Sequence, residues 1–240
     1  MTDLTRVRYT AQSHRGHVRN VNEDSVLSLP EYGIWVVSDG MGGHLGGDYA
    51  SQTVVEAVAT IAPDEMQNDV VGSVQRAIQT AHHTIQGEAD RIGTDTIGAT
   101  VVVLMLAVGR FGVLWSGDSR VYRLRRGMLE MLTTDHSEVA ELVLAGKMDW
   151  DEAERSPWAN AITNAVGIGD DPELEFVHGT VQSGDRFLLC SDGLTKYADS
   201  ETLRRVLCET GIEKVCDRLL GIALDGGGAD NISIVVVEVP

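Results

Sequence analysis

Four aspartates in this sequence adjoin apolar runs in a way that could gather negative charge at one point. Asp39, Asp118 and Asp192 each follow an apolar run, and Asp230 precedes another. Each has glycine or asparagine beside it, so any one alone would be interpreted as a turn former. If the apolar runs are neighbouring strands, however, the carboxylates converge and repel one another. Oxygen ligands of this kind favour Mg²⁺ and Mn²⁺, which would relieve that repulsion.

A second polar group, near the start of the chain, could bind a phosphate. Arg19 is followed at short spacing by Asn22, Glu23 and Asp24. The planar guanidinium of arginine matches the oxygens of a phosphate group, and the two carboxylates could hold metal-bound waters. Alone, the segment would be interpreted as a polar surface turn. Beside a metal cluster, phosphate binding becomes the better interpretation.

Apolar periodicity predicts the strands and helices that must position these residues. Short apolar runs, rich in β-branched residues over 100–124, predict strands at 25–29, 34–37, 100–108, 111–115, 119–124, 187–190 and 232–239. Helical spacing predicts helices from Asp48 or Ser51 to Pro63, and at 70–92, 201–209 and 213–224. The segment 38–47 holds five glycines and is predicted to be a loop.

The order of these elements predicts an α+β fold. Two strands precede two helices, strands that resemble an antiparallel meander occupy 100–124, and two more helices precede the last strand. The glycine-rich loop has neither Gly-x-Gly-x-x-Gly spacing nor a Walker lysine, which disfavours a nucleotide-binding fold. Since no linker divides the chain, we expect one domain over residues 1–240.

The composition argues against several classes of protein. A net charge of −17 disfavours binding to nucleic acid or to an anionic membrane. The longest strongly apolar run, 101–108, is too short to span a membrane. Three cysteines without a pairing pattern are typical of reduced thiols, so we expect a cytoplasmic protein. No oligomerisation signal is visible, and we expect a monomer.

Five short motifs, in this order, resemble those of the type 2C metal-dependent protein phosphatases (the PPM family), especially the short bacterial members. They are Arg19-x-x-Asn22-Glu23-Asp24, Ser38-Asp39-Gly40-Met41-Gly42-Gly43, Gly117-Asp118-Ser119-Arg120, Cys190-Ser191-Asp192-Gly193-Leu194 and Asp230-Asn231-Ile232-Ser233. Each is weak alone, but together they cover residues 19–233. The resemblance implies a four-layer αββα sandwich, with two central, mostly antiparallel β-sheets flanked by helices.

The resemblance also implies a site for two metal ions, either Mn²⁺ or Mg²⁺. By the family pattern, Asp39 bridges the two ions, and the backbone carbonyl of Gly40 binds one of them. Asp192 and Asp230 complete the other. A water held between the ions would then attack the phosphorus atom of the substrate.

Four further residues receive roles from the same pattern. Glu23 and Asp24 would act near the second ion, partly through water. Asp118 would form a third, looser metal site together with Asp192. Arg19 would clamp two phosphate oxygens of the substrate and so take part in catalysis.

The sequence departs from the family pattern in two places. Some relatives carry a histidine, a candidate general acid, where this chain has Met41; His44 or a metal-bound water could replace it. Residues 137–166 are predicted to form one amphipathic helix and an irregular lobe, which the resemblance suggests is a flap beside the active site. Many relatives have arginine where this chain has Ala159, before Asn160, which puts any inherited flap contact in doubt.

The expected function is metal-dependent removal of phosphate from serine and threonine side chains of proteins. The expected substrates are phosphorylated proteins, including a bacterial serine/threonine kinase whose action the enzyme would reverse. One alternative is a catalytically weak regulatory module of the same fold that binds phosphoproteins. The retained Asp39, Asp192 and Asp230 favour the enzyme. A hydrolase of small phosphate esters is a further alternative, and it would need a deep, closed pocket.

Overall fold

The computed structural model describes residues 7–42, 46–94, 96–153, 156, 158 and 161–240. These residues form two β-sheets packed face to face, with helices on both outer faces. The strands are β1 Arg8–His14, β2 Asp24–Leu29, β3 Ile34–Met41, β4 Gly98–Ala99, β5 Val101–Ala107, β6 Arg110–Ser116, β7 Arg120–Arg125, β8 Met128–Met131, β9 Glu175–Thr180, β10 Arg186–Cys190 and β11 Ile232–Glu238. The helices are α1 Gly47–Ala59, α2 Pro63–Asn68, α3 Val70–Ile92, α4 Ala140–Leu144, α5 Trp150–Ala153, α6 Asp192–Thr195, α7 Ser200–Glu209 and α8 Ile212–Asp225.

Both sheets are antiparallel, and each draws its strands from distant parts of the chain. The first has the order β1-β11-β10-β7-β8, and the second has the order β2-β3-β5-β6-β9, with β4 paired to β3. In the first sheet, β11 lies between β1 and β10 and pairs antiparallel with both. The end of the chain is thereby built into the same sheet as its start.

Strand alternation explains how the four layers form. In β3, Ile34 and Val36 pack in the cluster that includes α1 and α3. Trp35 and Val37 point to the other side, into the cluster between the two sheets. Successive side chains of a strand face opposite sides, so one strand serves two cores. The helices α7 and α8 cover the outer face of the other sheet. The predicted αββα sandwich is confirmed.

The long helix α3 matches its prediction at both ends. Asp69 caps its start, because the side-chain Oδ1 accepts a hydrogen bond of 3.0 Å from the backbone N–H of Gly72. Gly93 ends it in the left-handed conformation, with φ of 76°. The preceding helix ends at Ala59, and Pro63 begins the short helix α2, which was not predicted. Proline suits that first position because the N–H it lacks would have no partner there.

The prediction that residues 38–47 form a loop is wrong for the first four of them and for the last, Gly47, which begins α1. Strand β3 continues to Met41, where Gly40 and Met41 pair with Ala99 and Gly98. Gly40 is needed for packing, since a Cβ there would lie 1.9 Å from the backbone oxygen of Gly47. Asp39 therefore lies within a strand and does not follow one.

The predicted meander over 100–124 is also wrong in its third strand. Strands β5 and β6 pair as expected, but β7 belongs to the other sheet. The chain crosses between the sheets at Gly117, whose φ of 102° is accessible mainly to glycine. The crossing places Asp118 between the two sheets. Strands β1, β4, β8 and β9 were not predicted, and in the lobe at 137–166 the described residues form two short helices, α4 and α5.

Among the described helices, none combines the length and the apolar character that a membrane crossing requires.

Replacing Gly40 with alanine should destabilise the protein, while the same change at Gly87 should stabilise it slightly. The Cβ at Gly40 has no room, so overpacking should cost about 2 kcal/mol. Gly87 lies on the exposed side of α3 with no atom within 4 Å of an added Cβ, so Gly87→Ala should add about 0.5–1 kcal/mol. Urea unfolding of the two variants measures both. Equal stability in the two would show that Gly40 does not limit the packing.

Candidate active site

A cleft at one end of the sandwich collects most of the residues that the sequence singled out. Its volume is about 230 Å³. The lining includes Arg19, Glu23, Asp39, Gly40, Asp118, Asp192 and Asp230, together with Met41, Gly42, Thr100, Ile162, Lys196 and Asn231. Asp24 lies behind the cleft and is 7% exposed. The predicted catalytic residue His44 lies outside the described residues.

The four aspartates reach this cleft from both sheets. Asp39 comes from β3 of one sheet, and Asp118 from the crossing between β6 and β7. Asp192 is the first residue of α6, directly after β10, and Asp230 lies just before β11. The four carboxylates converge as predicted, and both sheets contribute to the cleft.

Burial and crowding raise the pKa of several of these carboxyls. Burial is the largest cause at Asp39, and the charges of Asp24 and Asp192 add to it, so its pKa lies well above the ordinary value. Burial likewise raises the pKa of Asp118, with the charge of Asp192 adding to it. At Asp24, burial outweighs the hydrogen bond from Ser191 and raises the pKa to about 7. Without a cation, the cluster disfavours its own ionised form.

Two carboxylate oxygens in this region lack a partner in the described part of the chain. Oδ1 of Asp24 and Oδ1 of Asp192 are both buried and accept no hydrogen bond. Buried acceptors without partners are costly and call for an unseen water or ion. A set made only of carboxylate and carbonyl oxygens fits a hard divalent cation such as Mn²⁺ or Mg²⁺.

Two cationic side chains already bind some of these carboxylates. The Lys196 ammonium lies 2.7 Å from Oδ2 of Asp192 and 3.0 Å from Oδ2 of Asp230. Arg19 reaches both oxygens of Asp230, at 2.9 Å through Nε and 3.1 Å through Nη2. Burial alone would raise the pKa of Asp230, but Lys196 and Arg19 hold it below the ordinary value. Among the described residues, no group of three or more His, Cys, Asp or Glu side chains is arranged closely enough to hold a metal ion as it stands.

The sequence profile described as protein phosphatase 2C matches residues 12–217 of this chain. The chain belongs to the protein phosphatase 2C family. The resemblance found in the motifs is confirmed.

Individual members of the family are similar over almost the whole chain. The serine/threonine protein phosphatase PstP of Mycobacterium tuberculosis is 36% identical over 234 residues, which are 97% of this chain and 45% of PstP. This chain thus spans about half the length of that relative. PppA, a key regulatory component of T6SS in Pseudomonas aeruginosa, is 39% identical with a TM-score of 0.89 over 98% of each chain. The catalytic domain of PstP in complex with two manganese ions is 35% identical, with a TM-score of 0.86 over 97% of this chain and 98% of that one.

Two residues that hold the phosphatase-family cleft together received no role from the sequence. The amide of Asn231 accepts a hydrogen bond from the Glu23 N–H at 2.8 Å and donates to the backbone oxygens of Arg15 and Val21 at 3.0 Å each. It thereby fixes the loop that carries Arg19. Asn231 belongs to one of the five motifs, but its hydrogen-bond partners lie about 210 residues away in the sequence. No local pattern therefore indicated this role.

Lys196 was missed as well, although a local signal for it exists. It stands four residues after Asp192, the spacing that brings side chains together on a helix. That spacing becomes informative only when a helix is known to begin at Asp192. Of the segment predicted to form a flap, Ile162 lines the cleft.

We expect the metal-free protein to lose stability as the pH rises from about 4 to about 7. Asp24 has a folded-state pKa of about 7 against an ordinary value of 3.8. Between these values the folded state retains a proton that the unfolded chain has released, so raising the pH favours unfolding. The pKa values of Asp39 and Asp118 are also raised in the folded protein, so these two carboxyls likewise lower its stability as the pH rises.

The variant Asp24→Asn should therefore show a shallower loss of stability with pH than the unchanged protein. Asp64→Asn, which changes an exposed side chain of α2, should keep the original slope. Thermal unfolding with chelator at several pH values between 4 and 8 measures this. An equally steep loss in Asp24→Asn would contradict the expectation.

Proposed function

We propose that this chain hydrolyses phosphoserine and phosphothreonine in proteins, with Mn²⁺ or Mg²⁺ as cofactor. The observation that carries the proposal is the convergence of Asp39, Asp118, Asp192 and Asp230 beside Arg19 in one cleft. The naming of PstP as a serine/threonine protein phosphatase, and the two manganese ions bound by its catalytic domain, support it.

In this proposal the aspartates and one backbone carbonyl hold two cations. Asp39 is central, because the charges of the other three cleft aspartates all act on its carboxyl. The carbonyl oxygen of Gly40 is the neighbouring ligand, and Asp192 and Asp230 serve the other ion. Bound divalent cations supply Lewis acidity, which activates a water and neutralises charge that develops on the phosphoryl oxygens.

The remaining acidic residues have supporting roles. Glu23 lines the cleft, and Asp24 lies behind it, where the Ser191 hydroxyl donates to its Oδ2 at 2.8 Å. We assign both to the second ion, partly through water. Asp118 and Asp192, whose charges interact, are the residues that would hold a third, looser ion.

Arg19 is the proposed phosphate-binding residue. Its side chain is 49% exposed, so the guanidinium lies at the rim of the cleft, where a substrate would arrive. The two nitrogens that now bind both oxygens of Asp230 could bind two phosphate oxygens in the same forked geometry. Arg19 would thus orient the phosphoryl group toward the attacking water.

The proton for the leaving serine or threonine oxygen must come from a donor other than Met41. Met41 lines the cleft, but a thioether carries no proton to give. His44 stays the predicted donor within the chain, with water as the alternative.

An open cleft favours a protein substrate over a small phosphate ester. Arg19 is half exposed, and the acidic residues line a groove that a side chain on a protein surface could enter. We propose phosphorylated proteins as substrates, among them a serine/threonine kinase, and a monomeric, cytoplasmic enzyme. The cysteines Cys190, Cys208 and Cys216 form no disulfide, which supports a reducing compartment.

Phosphate release from a phosphothreonine peptide should require Mn²⁺ and should collapse in Asp39→Asn. Loss of the central ligand should lower kcat/KM by about 10³-fold. Asp90→Asn, on the exposed side of α3, is the matched control and should keep full activity. A well-folded protein that releases no phosphate with either Mn²⁺ or Mg²⁺, yet binds the peptide, would support the regulatory module instead.

Arg19→Ala should lower kcat/KM for the phosphopeptide by about 10²-fold, chiefly through a higher KM. Arg205→Ala removes an exposed arginine of α7 outside the cleft and should change neither constant. The same assay with a small aryl phosphate tests the rival substrate class. A higher kcat/KM for the aryl phosphate than for the peptide would contradict the assignment to proteins.

A further inference from the structure

Lys196 places a positive charge inside the carboxylate cleft, where the proposed function requires metal ions. Its ammonium bridges Asp192 and Asp230, at 2.7 Å and 3.0 Å. Both carboxylates come from segments that end or begin strands of the same sheet, β10 and β11. The lysine therefore binds two of the proposed ligands of one ion at the same time.

The position of Lys196 differs from that of Arg19, the other cation in the cleft. The Lys196 side chain is 19% exposed, whereas that of Arg19 is 49% exposed at the rim. Because the Lys196 ammonium lies this far inside the cleft, bulk water can reach the two carboxylates only after the ammonium has moved away from them. An ammonium has three donors and no acceptors, so two carboxylates satisfy most of its bonding capacity.

We propose that Lys196 is a built-in competitor of the metal: its ammonium binds the Asp192 and Asp230 carboxylates that the ion would use, and a metal ion must displace it. This inference rests on the proposed metal-binding role of these aspartates. Lys196 would thereby set the metal concentration at which the cleft fills.

The buried carboxylate oxygens that lack a partner favour competition between the lysine and a metal ion over simultaneous binding of both. Lys196 binds Oδ2 of Asp192, while Oδ1 of the same carboxylate is buried without a partner among the described residues. Oδ1 of Asp24, in a side chain 7% exposed, is also without one. The ammonium thus balances only part of the charge in the cluster. A divalent ion that drew in the Asp192 carboxylate would bring two like charges together and expel the ammonium.

Competition has two linked consequences. The lysine stabilises the metal-free cleft, since it relieves repulsion between Asp192 and Asp230. It lowers the affinity for the metal by the same free energy, because the contact must be broken when the metal binds. Neutralising Lys196 should therefore weaken the metal-free protein and strengthen metal binding together.

Titration calorimetry of Mn²⁺ into chelator-stripped protein tests the inference without an activity assay. Lys196→Met keeps the aliphatic stem and removes the charge, and it should bind the first Mn²⁺ about tenfold more tightly than the unchanged protein. Lys196→Arg keeps the charge and should bind Mn²⁺ like the unchanged protein. Lys214→Met removes an exposed lysine of α8 and is the matched control for lost charge.

Thermal unfolding provides the second readout. Lys196→Met should have a lower Tm than the unchanged protein without metal and a larger rise in Tm on adding Mn²⁺. If the stripped variant does not fold, its Mn²⁺ affinity can be measured from the loaded side, by competition with a metal-sensitive fluorescent chelator.

Equal or weaker Mn²⁺ binding by Lys196→Met would overturn the inference, since the lysine would then be a neutral support or a helper of the site. A lack of Mn²⁺ binding by both proteins would overturn it as well. Because binding is measured directly, the outcome is separate from that of the phosphatase assay. Tighter Mn²⁺ binding without phosphate release would uphold the competitor and reject the proposed function.

Discussion

Repulsion among buried carboxylates is the constraint on which the rest of this structure depends. Asp39 is buried beside four other aspartates, and burial first, with their charges adding to it, raises its pKa well above the ordinary value. A fold can keep such a cluster only if its backbone holds the members in place and cations offset their charge. The sandwich provides the first condition. Lys196, Arg19 and the proposed metal ions provide the second.

Small hydroxyl side chains between the sheets do much of this positioning. The Thr100 hydroxyl accepts a hydrogen bond from the Asp39 N–H at 3.0 Å and lies 2.7 Å from the Ser119 hydroxyl, next to Asp118. Ser191 plays a similar part behind the cleft, where its hydroxyl donates to Asp24 and accepts from the backbone of β11. The segments that carry the proposed ligands are thus tied to one another. Such supporting contacts orient the ligands of a metal site.

The features that the sequence predicted correctly are those with a local cause. Helix α3 has an apolar stripe at helical spacing and a recognisable cap, and both ends were predicted. The edge strands β1, β8 and β9 were not predicted, because their residues are half-buried or exposed and only the neighbouring strands define them. The extension of β3 through Gly40 depends on the close approach of another segment. The four cleft aspartates could be found from residue type and motif order. Asn231 acts through residues about 210 positions away, and Lys196 joins Asp192, four positions away on a helix that was not predicted, to Asp230, 34 positions away.

Because the whole protein is acidic, the few cations in the cleft decide whether an anionic ligand can bind there. A phosphopeptide is an anion approaching a chain of net charge −17, so the long-range field opposes its arrival. Only a local reversal of sign can make the cleft attractive. In the proposed function, Arg19 at the rim and the divalent ions inside supply that reversal, and in the further proposal Lys196 competes with those ions for Asp192 and Asp230. Because long-range repulsion is screened at physiological ionic strength and contacts inside the cleft are screened less, the local charges decide binding. Under the proposed function, substrate recognition and metal occupancy are therefore coupled through one set of carboxylates.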